Sequence, residues 1–203
     1  MPADHRTSGT GDDLAQDEAV LVQKAQADIA AFGPLYAHYV DRIYAYLLTR
    51  TGQAGAEEAA DLTQQVFLRA LDALPRYQAR AGSSVAAWLF RIARNAAIDW
   101  QRRQHPGRRT VPWEAVPEEL HPAAPETADE LALRREAIAQ AHRLLAILDE
   151  ATREALLLRF TGQLTQAEIG VVLGISEEAA RKRITRALRT LKERYQHDSD
   201  DTP

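Results

Sequence analysis

Residues 164–195, LTQAEIGVVLGISEEAARKRITRALRTLKERY, decide how this chain folds. Thr165-Gln166-Ala167-Glu168 is a capping box: the Thr165 hydroxyl can accept from the amide of Glu168, and the Glu168 carboxylate can reach back. The helix it opens is short, with Ile169, Val172 and Leu173 apolar, and ends at Gly174, which permits the left-handed backbone that closes a helix. Gly174-Ile175-Ser176 is a three-residue turn, and Ser176 caps the next helix with Glu177 and Glu178 at its positive end. That helix runs to about Tyr195 and is expected to turn Ala180, Ile184, Leu188 and Leu191 inward. Arg181, Lys182, Thr185, Arg186 and Arg189 lie on its other faces, and residues 181–194 carry a net +6. A short capped helix, a glycine turn and a longer basic helix form a helix-turn-helix signature. Such a helix can enter a major groove, with early residues at base edges and later ones at phosphates. Charge alone would equally suit a solvated face; cap, turn and charge together favour DNA binding.

Outward from this motif the pattern stays helical. Asp149 opens a helix with Ala155, Leu156, Leu158 and Phe160 apolar, ending at Thr161-Gly162, and another covers about residues 131–148. Residues 105–130 hold five of the nine prolines beside six acidic residues, a composition that cannot propagate a helix and reads as an extended linker. Before it, four helices are expected. The first starts at Glu18 with Leu21, Ala25 and Ile29 on one stripe and breaks at Gly33-Pro34. The second carries Leu35, Tyr39, Ile43, Tyr46 and Leu47 to near Gly52. The third spans about residues 56–74, with Leu62, Val66, Leu68, Leu71 and Leu74 apolar, and stops at Pro75. The fourth spans about residues 85–104, after a short loop at residues 77–84. No segment alternates with strand period. The fold class is therefore all-α, with two helical domains, residues 18–104 and 131–195, joined by the Pro-rich linker and flanked by a flexible tail at 1–17 and an acidic one at 196–203.

Two segments of the first domain are informative. In DLTQQVFLRAL (residues 61–71) one face is apolar, the other presents Asp61, Gln64 and Gln65, and Phe67 stands near the boundary. In WLFRIARNAAIDWQRR (residues 88–103) aromatic and basic residues interleave, and residues 91–109 carry a net +5. Arginine beside aromatics suits opened or single-stranded nucleic acid, through phosphate contact and base stacking. Trp88 sits on the apolar stripe and reads as core; Trp100 could be core or a stacking surface.

Composition removes other functions. The 203 residues contain no cysteine, which excludes disulfides, a thiolate zinc site and a cysteine nucleophile. Six scattered histidines give no metal-ligand spacing, so neither a metal nor a cofactor is expected. No run approaches the ~18 apolar residues of a membrane span, and no secretory signal is visible, so a cytoplasmic protein without membrane insertion is expected. Phosphate-loop, dinucleotide, zinc-protease and serine-hydrolase motifs are all missing, which argues against an enzyme. Arginine outnumbers lysine 22 to 3, a bias that genomic base composition alone can produce. The net charge is −4, yet the two basic segments sum to +11, leaving −15 on the rest.

Taken in order, DLTQQVFLRAL, AWLFRIARNAAIDWQRR and LTQAEIGVVLGIS…RKRITRAL resemble bacterial sigma factors of the sigma-70 family, best the small two-domain extracytoplasmic-function (ECF) group. LYAHYVDRIYAYLLTRTG is similar to that family's first conserved helix. The resemblance implies a protein that binds core RNA polymerase, recognises −35 and −10 promoter elements and helps melt the DNA. It implies that Asp61, Gln64, Gln65 and Phe67 dock on the polymerase, that Tyr77 and Arg80 belong to a loop capturing a flipped −10 base, and that Arg91, Arg94, Asn95, Trp100, Arg102 and Arg103 meet the −10 region. Arg181, Lys182, Thr185 and Arg186 match the positions that read the −35 element, and an anti-sigma factor is an implied partner. Gln65 stands where glutamate is common, Val85 where an aromatic is common, and Ala179-Ala180 where Thr-Val is frequent. The smaller Ala180 buries about two methyls fewer, ~1–2 kcal/mol. The other reading of the residues is a helix-turn-helix regulator that binds DNA without polymerase, as a dimer on two half-sites about one helical turn apart.

Overall fold

Each helix begins or ends where a capping side chain or a glycine supplies what the backbone lacks. The computed structural model describes residues 9–51, 55–78, 84–104 and 145–200, with side chains from residue 18 to residue 196. Helix α1 is Gly9–Ala27, α2 is Gly33–Thr51, α3 is Gly55–Ala73, α4 is Val85–Gln104, α5 is Glu150–Phe160, α6 is Gln166–Leu173 and α7 is Glu177–Asp200. Single 3-10 turns at Ile29–Phe32 and Leu74–Arg76 join α1 to α2 and close α3. No strand occurs among the described residues. Arg80, the linker at 105–130 and most of the helix expected over 131–148 lie outside the described residues.

The first domain packs α2 against α3 and α4 around Tyr39, Ile43, Leu62, Val66, Leu89 and Ala93, all fully buried. The second packs α5, α6 and α7 around Leu158, Leu164, Ile169 and Ala180. The two share one continuous buried core, because α4 lies against α6.

Several sequence expectations are corrected. Helix α1 begins at Gly9, nine residues before Glu18, so the backbone of residues 9–17 is helical rather than tail. It breaks at Asp28, not at Gly33-Pro34: Asp28 is extended (φ −142°, ψ 113°) and its carboxylate accepts from the Ala30 amide, starting the 3-10 turn. That reset throws Ile29 off the apolar stripe, to 67% exposure. Leu68 and Phe160 also face outward, at 61% and 63%. In α7 the inward stripe is Ala180, Ile184, Ala187, Leu191; Leu188 is exposed, because i+7 keeps the phase that i+8 overshoots. Helix α7 continues to Asp200, beyond the Tyr195 limit.

Candidate nucleic-acid and polymerase interface

The helix-turn-helix forms as its caps require. The Thr165 hydroxyl accepts from the Glu168 amide at 3.3 Å, and the Glu168 carboxylate accepts from the Thr165 amide at 2.7 Å. Gly174 takes φ 68°, ψ 35°, left-handed, and its amide donates to Gly170 O. The Ile175 amide also reaches Gly170 O, at 2.9 Å. The turn passes so close that a Cβ on Gly170 would lie 2.9 Å from Ile175 O. Ser176 Oγ accepts from the Ala179 amide at 3.1 Å and starts α7. Arg181, Lys182, Thr185 and Arg186 then fall at i, i+1, i+4 and i+5 on one exposed face. Lys182 makes a solvent-exposed pair with Glu178, at 2.8 Å. Such pairs contribute little and exchange readily for a phosphate.

On α3, Asp61, Gln64 and Gln65 share one exposed face, and the outward Leu68 continues it. Phe67 is not on that face. It is buried, edge-on to Phe32 at 6.3 Å and tilted against Tyr36 at 4.7 Å, so it anchors α3 to α2.

On α4, a turn of 100° per residue places Arg91, Asn95 and Arg102 along one stripe, with Arg94 on its flank. Arg91, Asn95, Arg102 and Arg103 are exposed. Arg94 is half-buried, its Nε 3.7 Å from Glu154 of α5. Trp100 lies on the opposite side, 6% exposed, with its indole N–H donating to Glu58. At that burial the indole packs in the core and presents no exposed stacking surface. Trp88 is half-buried, with Tyr77 tilted over it at 4.6 Å. Gln26 of α1 braces that pair, its amide donating to Leu74 O at 2.9 Å and Tyr77 O at 2.8 Å. Burial, with the nearby Glu18 carboxylate, pushes the Tyr77 hydroxyl above the usual phenol range, so it stays a neutral donor.

The sequence reading missed a polar group between the domains. The Arg50 guanidinium lies 2.7 Å from Glu150 and 2.8 Å from Glu154, and the Tyr46 hydroxyl donates to Glu154. Burial would push Arg50 down, but Glu154, Tyr46 and Glu150 outweigh it and hold it above the ordinary arginine range. Burial, then the Glu154 charge, pushes Tyr46 far up. A signal was present: Arg50 continues the buried phase of Ile43, Tyr46 and Leu47, and Glu154 shares a phase with Leu158. A charge in an apolar phase implies a buried partner.

Comparison with known proteins places the chain in a family. Residues 35–106 match the family Sigma-70 region 2, and residues 144–193 match Sigma-70, region 4. The chain is 35% identical to the ECF RNA polymerase sigma factor ShbA of Streptomyces griseus over 187 residues, 89% of this chain and 96% of that one. It is 34% identical to the ECF RNA polymerase sigma factor BldN of Streptomyces coelicolor, over 92% of this chain and 69% of that one. Its fold is similar to that of the sigma factor RpoE in a co-crystal structure with the anti-sigma factor NepR from Bartonella quintana (TM-score 0.59, 20% identity, 80% of this chain and 94% of that one).

Proposed function

Since the chain belongs to the extracytoplasmic-function sigma factors of RNA polymerase, we propose that its exposed faces divide the labour of promoter recognition as follows. The α3 face of Asp61, Gln64 and Gln65 docks on core polymerase, with Phe67 holding that helix in place from beneath. Arg181, Lys182, Thr185 and Arg186 of α7 enter the major groove of the −35 element, where a bidentate arginine contact to guanine is worth ~1–3 kcal/mol of discrimination. Arg91, Asn95, Arg102 and Arg103 line the −10 region by phosphate contact, joined by Arg94. The Tyr77–Trp88 pair and Arg80 flank a flipped base, whose extrusion costs a few kcal/mol that the pocket offsets. Trp100 contributes by fixing α4 through Glu58 rather than by stacking.

The observation that carries this reading is the exposure of the four α7 side chains on one capped, basic helix beside a separate polar α3 face. The protein acts in the cytoplasm, uses no cofactor and catalyses no reaction of its own; the chemistry belongs to the polymerase. An anti-sigma factor is the expected regulator, supported by the family and by the fold of the NepR-bound relative.

The test is reconstitution. Purified protein is added to core RNA polymerase with a promoter library, and run-off transcripts are sequenced. Transcripts sharing −35 and −10 elements are expected. Neither polymerase binding nor a transcript under any condition would overturn the reading.

A further inference from the structure

Carbonyls at the end of a helix need donors that the helix itself does not supply. Pro75 interrupts α3, and the chain leaves through the turn Leu74–Arg76 into an extended Tyr77 (φ −64°, ψ 129°). Leu74 O accepts from the Tyr77 amide at 3.0 Å. A further donor to Leu74 O, and the donor to Tyr77 O, come from one atom about fifty residues earlier, Gln26 Nε2, at 2.9 and 2.8 Å. Both partners are carbonyls, so only the NH2 end of the amide, with its two N–H donors, serves both.

Helix α1 is suited to be the fixed point of this tether. Val22 and Ala25 seat it in the core. Near its middle, the Glu18 carboxylate accepts from the Tyr39 hydroxyl of α2. The two attachments, at residues 18 and 26, lie about 12 Å apart along the axis, which fixes the helix lengthwise as well as sideways. The Asp28 amide donates to Lys24 O at 2.8 Å and closes the helix just past Gln26. Gln26 precedes residues 35–106, the stretch that matches Sigma-70 region 2.

Tyr77 and Trp88 meet at 4.6 Å with their planes 45° apart, yet they are placed by different means. Trp88 is set by its own helix: Ser84 Oγ accepts from the Ala87 amide and Ser84 O from the Trp88 amide, each at 3.1 Å, at the start of α4. Tyr77 stands outside any α-helix, and its backbone is set by the two Gln26 bonds.

We propose that Gln26 is a positioning residue for −10 recognition: by tethering Leu74 O and Tyr77 O to α1, it holds Tyr77 against Trp88 and so preforms one wall of the site for the flipped base. The inference rests on the assignment of that pair to the −10 element. A wall already in place leaves the binding energy of the base to offset its extrusion rather than to order the protein. Untethering is expected to cost about tenfold in base selection, the weight of ordering one backbone residue.

The test uses the full chain with core RNA polymerase and the promoter library of the reconstitution. Gln26→Met keeps the length and helix propensity of the side chain but cannot donate. It is expected to flatten the base preference at the captured −10 position about tenfold and to leave the −35 preference unchanged, a split that general destabilisation would not produce. Tyr77→Ala is expected to flatten the same position, and Gln26→Met to add nothing in its presence, because Gln26 acts through Tyr77. Gln23→Met, an exposed glutamine one turn earlier on α1, is expected to change neither preference. On the free chain, hydrogen exchange of the peptide covering residues 74–78 is expected to quicken in Gln26→Met and not in Gln23→Met, with circular dichroism unaltered.

The brace is overturned if Gln26→Met keeps the −10 preference of wild type, if it weakens −35 and −10 selection alike, if its loss adds in full to that of Tyr77→Ala, or if exchange at 74–78 is unchanged. These results differ from failure of the function itself. A wild-type chain with no −10 preference refutes the function and the role of Gln26 together, whereas a selective wild type with an equally selective Gln26→Met refutes the brace alone.

Discussion

Helices α4 and α7 carry nearly the same charge, a net +5 over residues 91–109 and +6 over 181–194, yet they stand differently toward a ligand. In α7 the arginines of the reading face are exposed, and its lysine is held by a solvent-exposed pair. In α4 the flank arginine is engaged by a carboxylate from the other domain, and one of its two tryptophans is enclosed. Charge predicts where nucleic acid can bind; burial decides when. One helix is a standing surface, the other a conditional one.

The sharpest way to break this comparison is Trp100. If it is core, Trp100→Ala costs about 3–5 kcal/mol, read as a lower urea midpoint. Unchanged stability with a selective loss of promoter melting would return Trp100 to the DNA-facing set. Next comes the open helix. Arg181→Ala is expected to weaken −35-dependent initiation by about 1–3 kcal/mol, roughly 5- to 150-fold in run-off yield, while polymerase binding survives. Asp61→Ala is expected to show the reverse, lost polymerase binding with the −35 contact intact.

A smaller effect concerns α5, the helix that carries Glu154. Its N-cap Asp149 accepts from the Thr152 amide at 3.0 Å and the Thr152 hydroxyl at 2.7 Å. Asp149→Ala should cost about 1 kcal/mol in urea unfolding. The Thr152 hydroxyl bond, chiefly, holds the Asp149 carboxyl below the usual carboxylate range against a modest burial cost. Its folded value is lower than its unfolded one. The cap's contribution is therefore present above about pH 4 and lost as pH falls through the folded value. Asp149→Asn should flatten that part of the stability profile. Smallest is Gln163, which takes φ 53° in the turn before the helix-turn-helix. Glycine suits that backbone better, so Gln163→Gly should raise stability by about 0.5 kcal/mol, the relief of the left-handed strain less glycine's entropy.

Much of this was legible in the sequence because its signals are local. The Thr165–Glu168 box, the Gly174 turn and the limits of α4 at 85 and 104 each depend on residues within a few positions of one another. What escaped depends on phase or distance. Ile29 followed the apolar spacing until Asp28 reset it, and Leu188 missed the inward stripe by one residue. The α3 and α7 faces were legible as exposed polar sets; the burial of Phe67 and Trp100 was not, because each depends on a neighbouring helix. The polar group between the domains was least legible, since Tyr46 and Arg50 meet Glu154 across more than a hundred residues of chain.

Gly162 gives the packing there a diagnostic. A Cβ at position 162 would stand 2.7 Å from Leu158 O of its own domain and 2.9 Å from the Phe90 ring, so the fit tolerates a hydrogen atom there and nothing larger without displacement. The position is a steric checksum. A related chain that keeps the aromatic at 90 but carries a bulkier residue at 162 should have to shift both the end of α5 and the ring packed against it.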